Sequence, residues 1–134
     1  MNRDLEPEDF ARWPNFGRHE FACKGSGQCR MAPLFMDKVQ LLRERYNKPM
    51  RISSGYRSPE HNAKVSSTGT EGPHTTGRAV DIMVSRGDAY LLLKLALEMN
   101  FTGIGISQKG ENRFIHLDDL TEDETAPRPT VWSY

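Results

Sequence analysis

A single carboxylate inside an apolar segment constrains this chain more than any other feature. Asp81 stands between Val80 and Ile82, in a run over residues 78–84 whose β-branched side chains predict a strand. If the side chains alternate between faces, Val80 and Ile82 face a core and Asp81 faces the opposite side. A carboxylate held among such neighbours costs free energy unless it is paired. The sequence therefore predicts a cation beside Asp81.

A second predicted strand carries a histidine that, like Asp81, faces away from the apolar core. Residues 113–118 alternate so that Ile115 and Leu117 share one face, whereas His116 and Asp118 share the other. The alternation predicts that His116 lies outside the apolar core, on the same side of its strand as Asp118.

His74 supplies a third donor, at the end of a long loop over residues 55–77 that is rich in glycine and proline. Gly77 then lets the chain turn before it reaches Asp81. Two imidazoles and one carboxylate, with water in the fourth position, form an open zinc site of the catalytic type. Zinc held in this way lowers the pKa of its water towards about 7. The candidate ligands are His74, Asp81 and His116, while His19 and His61 are predicted on the surface.

The remaining pattern predicts one α+β domain of 134 residues, with an antiparallel sheet against two main helices. One helix is expected over residues 33–47, and a second from a capping box at Ser85 and Asp88 through Met99. Strands are expected at residues 50–54, 78–84, 103–106 and 113–118, with an edge strand at 130–134.

The domain is expected to have three parts: an irregular arm (residues 1–32), a core (33–120) and a tail (121–134). Four aromatic residues are predicted to pin the arm onto the core by burying their rings: Phe10, Trp13, Phe16 and Phe21. The acidic stretch over residues 118–124 is interpreted as a solvated loop.

Cys23 and Cys29 have five residues between them and leave three interpretations open. They are two reduced thiols, a local disulfide if the protein works outside the cytosol, or part of a zinc knuckle with His19.

Charge and hydropathy argue against a nucleic-acid partner and against a membrane span. Lys plus Arg and Asp plus Glu both number 18, so the basic excess typical of a nucleic-acid-binding protein is missing. No run approaches the roughly 20 apolar residues of a membrane span. Residues 1–6 are polar and contain no apolar signal core. We expect a chain without a signal peptide that is cytoplasmic until another agent releases it; its oligomeric state is not indicated.

Three motifs in order carry a resemblance to a known family. They are SGYRS (residues 54–58), His74 followed by GRAVDI (77–82), and IHLD (115–118). The chain resembles the zinc D-alanyl-D-alanine carboxypeptidases over about residues 35–119. Those enzymes are grouped with phage L-alanyl-D-glutamate endopeptidases and share a fold with the hedgehog signalling domain. The stretch over residues 16–29 and the ending at 132–134 also resemble small phage or prophage members.

The resemblance implies a zinc peptidase with His74, Asp81 and His116 as ligands of one ion. It implies that Arg57 faces the site, where a guanidinium grips a substrate carboxylate or an oxyanion, and that Tyr56 joins it in binding substrate. The implied substrate is a peptidoglycan stem peptide, cut at D-Ala-D-Ala or at L-Ala-D-Glu. The implied setting is an endolysin or a virion-borne wall hydrolase that acts at the cell wall.

One position departs from the family pattern. Many members carry Glu or Asp as general base three residues before the last histidine ligand, where this chain has Arg113. Asp118 is the expected replacement and Glu111 the alternative; Asp118 could instead only hold the ligand His116 by a hydrogen bond. The departure also leaves two rival functions open: a zinc-containing wall-binding module without catalysis, and a structural zinc site in a phage component.

Overall fold

A five-stranded sheet is the centre of the computed structural model, which describes residues 2–122 and 126–134. The strands are β1 (Arg51–Ser54), β2 (Ala79–Met83), β3 (Gly103–Ser107), β4 (Phe114–Asp118) and β5 (Thr130–Ser133), in the spatial order β1-β2-β4-β3-β5. The fold is therefore α+β, as predicted. The predicted acidic loop over 118–124 extends beyond the described residues at Asp123 and Glu124.

One strand pair corrects the expectation of a wholly antiparallel sheet. The β1, β2, β4 and β3 strands pair antiparallel, but β5 runs parallel to β3 at the edge. The parallel direction follows from the level at which β5 begins. The chain leaves β4 at Asp118, level with Gly103 at the start of β3, and it re-enters the sheet at Thr130, which also pairs with Gly103.

The two faces of the sheet have different roles. Val80, Ile82, Ile115 and Leu117 are buried in the core on one face, as alternation predicted. On that side lie the two long helices, α2 (Pro33–Tyr46) and α4 (Arg86–Glu98), which pack against each other. The opposite face is left for polar residues of the same strands.

The α2 helix confirms its predicted apolar stripe and its end, whereas the start of α4 differs from the prediction. The α2 helix buries the predicted stripe of Phe35, Val39, Leu42 and Tyr46 and ends at Asn47 with φ 55°. The predicted capping box of α4 is wrong, because Ser85 makes no side-chain cap. Asp88 pairs instead with Lys48, whose Nζ lies 2.6 Å from its carboxylate.

The N-terminal arm is more ordered than expected. It contains a 3₁₀ helix (Pro7–Arg12) and the short helix α1 (Arg18–Phe21). The prediction that its aromatic rings pin it is confirmed, because Phe10, Trp13, Phe16 and Phe21 are all buried. Trp13 Nε1 also donates to Asp37 of α2 over 2.7 Å, and Arg12 forks onto the same carboxylate.

The two cysteines are buried free thiols. Burial opposes ionisation of Cys23, but hydrogen bonds from Ser26 and Ser58 outweigh it and lower its pKa to about 7. Burial raises the pKa of Cys29 to about 11. The disulfide is not formed, and among the described residues neither thiol joins a metal-binding group, which agrees with the reduced-thiol interpretation.

The loop over residues 55–77 contains more helix than the sequence suggested. The helix α3 (Pro59–Val65) is capped by Ser58, whose Oγ accepts from the backbone N–H of His61. A 3₁₀ turn (Pro73–Thr76) follows and carries His74. Among the residues that the structure describes, no helix has the length and apolar character needed to cross a bilayer.

Leu92 and Leu97 of α4 test which helix face supports the fold. Leu92 is 0% exposed and Leu97 is 59% exposed. We expect Leu92→Ala to lower the free energy of unfolding by about 2–5 kcal/mol, because it leaves a cavity. Leu97→Ala should change it by less than about 0.5 kcal/mol. Urea denaturation of both variants measures this, and equal losses would contradict the packing described.

Candidate metal centre

The three candidate ligands converge at one place. His74, Asp81 and His116 each bring one donor atom within 4.8 Å of the others, and all three residues are buried. Asp81 Oδ1 lies 3.2 Å from His74 Nε2 and 3.0 Å from His116 Nδ1. One carboxylate oxygen therefore faces two imidazole nitrogens.

Strand register and one turn bring these residues together. Asp81 is in the middle of β2 and pairs directly with His116 of β4. His74 arrives from the 3₁₀ turn, and Gly77 then reverses the chain with φ 74°. A Cβ at Gly77 would collide with the carbonyl oxygen of Arg30, so both the conformation and the space require glycine there.

The other nitrogen of each histidine fixes its orientation. His74 Nδ1 lies 2.8 Å from the carbonyl oxygen of Gly55, and His116 Nε2 lies 2.7 Å from Asp118 Oδ2. Both partners are acceptors, so we assign the N–H groups to these outer nitrogens. In the neutral rings, the inner nitrogens of His74 and His116 then have lone pairs free for a metal ion, as in metal-ligating histidines. Without a metal ion, a proton on the inner nitrogen of His116 pairs with Asp81 instead.

The donor set fits a zinc ion. Two imidazole nitrogens and one carboxylate oxygen are common zinc ligands, and three protein ligands leave a position for water. Burial opposes ionisation of Asp81, but the neighbouring His74 and His116 outweigh it and hold its pKa well below the usual value. The site is thus arranged to keep a charged carboxylate ready for a cation.

Asp118 makes contacts that leave its carboxylate saturated. Oδ2 accepts from His116 Nε2 at 2.7 Å and from Arg128 Nη2 at 2.9 Å. Oδ1 accepts from Arg128 Nε at 3.0 Å and from the Leu120 N–H at 3.3 Å. A carboxylate has about four lone-pair positions, so none remains for a water proton. The geometry favours Asp118 as the support of His116 over Asp118 as general base.

A groove of about 650 Å³ gives access to the three ligands. Its lining includes residues of the segment that follows α3, among them Glu71, and of the C-terminal segment, among them Trp132 and Tyr134. The Trp132 ring centre lies 5.1 Å from that of His116. A Cβ at Gly105 would collide with the Trp132 indole, so glycine at this position of β3 lets the ring lie across the sheet.

The other predicted site residues separate into two groups. Arg57 lines the groove, and its Nη2 lies 3.8 Å from Asp81 Oδ2. Tyr56 does not line this groove; it is 6% exposed, packs in the core and borders a smaller depression with His61. Glu111 borders a third depression beside Arg86, so the structure does not bring it to the metal ligands.

Sequence reasoning missed Glu71 and Arg128. Glu71 had one available signal, since it stands three residues before His74, as the family base stands before the last histidine. Arg128 had none, because no periodicity relates it to its partner Asp118, ten residues earlier in the chain. His19 is exposed and His61 is half-buried, and neither joins the ligand group.

A buried pair of histidines and an aspartate, beside a groove lined by an arginine, is the type of centre found in metallohydrolases. The chain belongs to the peptidase M15 family, whose model matches residues 14–118. That match confirms the resemblance to the zinc D-Ala-D-Ala carboxypeptidases, and M15 peptidases depend on zinc. No curated protein matches the chain.

The protonation of His116 predicts how zinc binding depends on pH. Burial opposes protonation of this imidazole, but Asp118 and Asp81 outweigh it and raise its pKa. The protonated form therefore stabilises the zinc-free fold below about pH 6.5, and this stability is lost as pH rises through the folded-state pKa. Zinc must displace that proton, so its affinity should rise about tenfold per pH unit up to the folded-state pKa.

Competition titrations with a chromophoric chelator between about pH 6 and pH 8 measure this dependence, and calorimetry in two buffers counts the protons released. The zinc-free protein should lose thermal stability over the same range. A zinc affinity that does not change with pH would contradict the assignment of His116 as a proton-bearing ligand.

Proposed function

We propose that this chain is a zinc-dependent peptidase that hydrolyses peptide bonds in peptidoglycan stem peptides, of the D-Ala-D-Ala carboxypeptidase or L-Ala-D-Glu endopeptidase type. The observation that carries the proposal is the convergence of His74, Asp81 and His116 at the base of a groove. Membership in the peptidase M15 family supports the reaction class. The proposed setting, a phage or prophage wall hydrolase, rests on the resemblance of the chain to small phage members.

His74, Asp81 and His116 would hold the zinc ion, which supplies a Lewis acid and a water of lowered pKa. Asp118 fixes the orientation of His116 through the hydrogen bond to Nε2. His74 is held in the same way by the carbonyl oxygen of Gly55. These contacts set the ligand geometry before substrate arrives, so little reorganisation is needed during the reaction.

Arg57 is proposed to bind substrate. Its Nη1 donates to Asn62 Oδ1 over 3.1 Å, which fixes the guanidinium beside Asp81 while other N–H groups stay available. In a carboxypeptidase this fork would hold the terminal carboxylate; in an endopeptidase it would steady the oxyanion that forms at the cleaved carbonyl.

Glu71 is proposed as the general base in place of the missing carboxylate at position 113. Arg113 donates to the carbonyl oxygen of Gly110 and cannot accept a proton. Asp118 has no lone pair free, whereas Glu71 lines the groove and makes no hydrogen bond or ion pair within the described ranges. Glu71 would take a proton from the attacking water and return it to the leaving amine.

The groove walls suit a short polar peptide with small side chains. The lining includes Ser66, Ser67 and Thr68, of which Ser66 and Thr68 share a hydrogen bond, and the rings of Trp132 and Tyr134. Hydroxyls can pair with the amide groups of a peptide backbone, while the rings can cover its methyl groups.

Because Arg113 stands where many family members carry the general base, a second function remains a candidate. In that function the chain is a wall-binding or structural module that holds zinc without catalysis. Digestion of isolated peptidoglycan separates the two. Release of new amino groups supports the peptidase, and binding to the wall with no release supports the module.

Zinc dependence of the digestion gives a direct test. We expect purified protein with zinc to release amino groups from peptidoglycan and a chelator to stop the release. His74→Ala should abolish it, because one ligand is lost, whereas His61→Ala should retain it. Mass spectrometry of the products identifies the bond: loss of one alanine indicates a carboxypeptidase, and release of whole stem peptides an endopeptidase. Activity that persists in metal-free His74→Ala protein would contradict the proposal.

The choice of base is tested with three variants. Glu71→Gln should lower kcat by about 10²- to 10⁴-fold with zinc affinity unchanged, as expected for a proton acceptor. Glu111→Gln should leave kcat unchanged, since Glu111 lies in another depression. Asp118→Asn should weaken zinc binding. If Asp118→Asn keeps full zinc affinity and loses kcat while Glu71→Gln is active, Asp118 is the base.

A further inference from the structure

Arg128 lines the groove and makes a buried ion pair beside the proposed metal centre. Its guanidinium contacts both oxygens of Asp118, from Nε to Oδ1 at 3.0 Å and from Nη2 to Oδ2 at 2.9 Å. The side chain of Arg128 is 4% exposed and that of Asp118 is 0% exposed. Such a fork fixes the carboxylate in both position and rotation, which a single contact cannot do.

The guanidinium is itself held from two further directions. Its Nη1 donates to the carbonyl oxygen of Pro127 over 2.8 Å, and its centre lies 5.2 Å from the ring centre of Trp132. Trp132 in turn contacts the ring of His116. Arg128 and Trp132 therefore constrain His116 through two routes, one through Asp118 and one through the indole.

Two glycines of β3 leave space for this arrangement. A Cβ at Gly103 would collide with the carboxylate of Asp118, and a Cβ at Gly105 would collide with the indole of Trp132. Both residues lie on the face of β3 that carries the metal ligands, because Gly105 pairs with His116. The sheet is thus shaped to receive the carboxylate and the ring in these positions.

We propose that Arg128 is a positioning residue of the metal centre: it holds Asp118 so that Asp118 can orient the ligand His116. This inference rests on the proposed zinc function and adds a residue outside the stretch that matches the family, which ends at residue 118. The C-terminal segment is accordingly part of the metal centre. Zinc affinity should depend on a side chain that is not a ligand.

The test measures zinc affinity by competition with a chromophoric chelator. Arg128→Gln should bind zinc up to about 10-fold more weakly, a smaller loss than the roughly 10- to 100-fold expected when the direct partner of a ligand, here Asp118, is removed. Arg128→Lys keeps the charge but loses the fork, so it should lie between this variant and the wild type. In an Asp118→Asn background, Arg128→Gln should add little further loss, because the contact on which it acts is already altered.

Arg12→Gln is the matched control, since Arg12 makes the same two-point contact with Asp37 far from the ligands. It should leave zinc affinity and the absorption spectrum of the cobalt-loaded protein unchanged. Arg128→Lys should alter that spectrum, because His116 is turned. If the pair of Arg128 with Asp118 is purely structural, Arg128→Lys and Arg12→Gln should each lower thermal stability, and neither should change the cobalt spectrum. That outcome would contradict the inference.

The outcomes distinguish this inference from the function on which it rests. If the wild-type chain binds no zinc, both are overturned. If it binds zinc and a folded Arg128→Gln binds equally well, only the role of Arg128 is overturned. Should Arg128→Gln fail to fold, Arg128→Lys decides: wild-type affinity and spectrum overturn the inference, and weaker binding supports it.

Discussion

The site depends on the placement of one carboxylate oxygen between two imidazole nitrogens. Asp81 Oδ1 lies within 3.2 Å of both His74 Nε2 and His116 Nδ1, with all three residues buried. Such a cluster of donors is costly unless a cation or a proton joins it, because buried lone pairs and charge otherwise oppose one another. The strand pairing, the turn at Gly77 and the contacts behind each histidine all serve this arrangement.

The sheet carries the site because its two faces are chemically different. One face presents Val80, Ile82, Ile115 and Leu117 to the core beneath α2 and α4. The other places Asp81 opposite His116 with no insertion between them. Core packing therefore fixes the candidate ligands Asp81 and His116 indirectly: any slip of register that moved them would also expose the apolar side chains.

Behind the ligands, a chain of contacts runs from His116 to Asp118 and on to Arg128. The four contacts of the Asp118 carboxylate favour a supporting role for this residue over that of a proton acceptor. Chemistry at the groove then depends on side chains with free lone pairs or N–H groups, of which Glu71 and Arg57 are the described candidates. Under the proposed division of roles, the chain needs no carboxylate at position 113.

The sequence alone predicted the α+β class, the two long helices, the alternation in β2 and β4, and the candidate ligands that the structure brings together, because each depends on local periodicity or on a short motif. It could not determine the parallel pairing of β5, the saturation of Asp118, or the positions of Tyr56 and Glu111 away from the groove. These depend on contacts that no local pattern encodes, such as the pairing of Thr130 with Gly103. Only tertiary structure decides contacts between residues that no periodicity relates, and Arg128 with Asp118 is one of them.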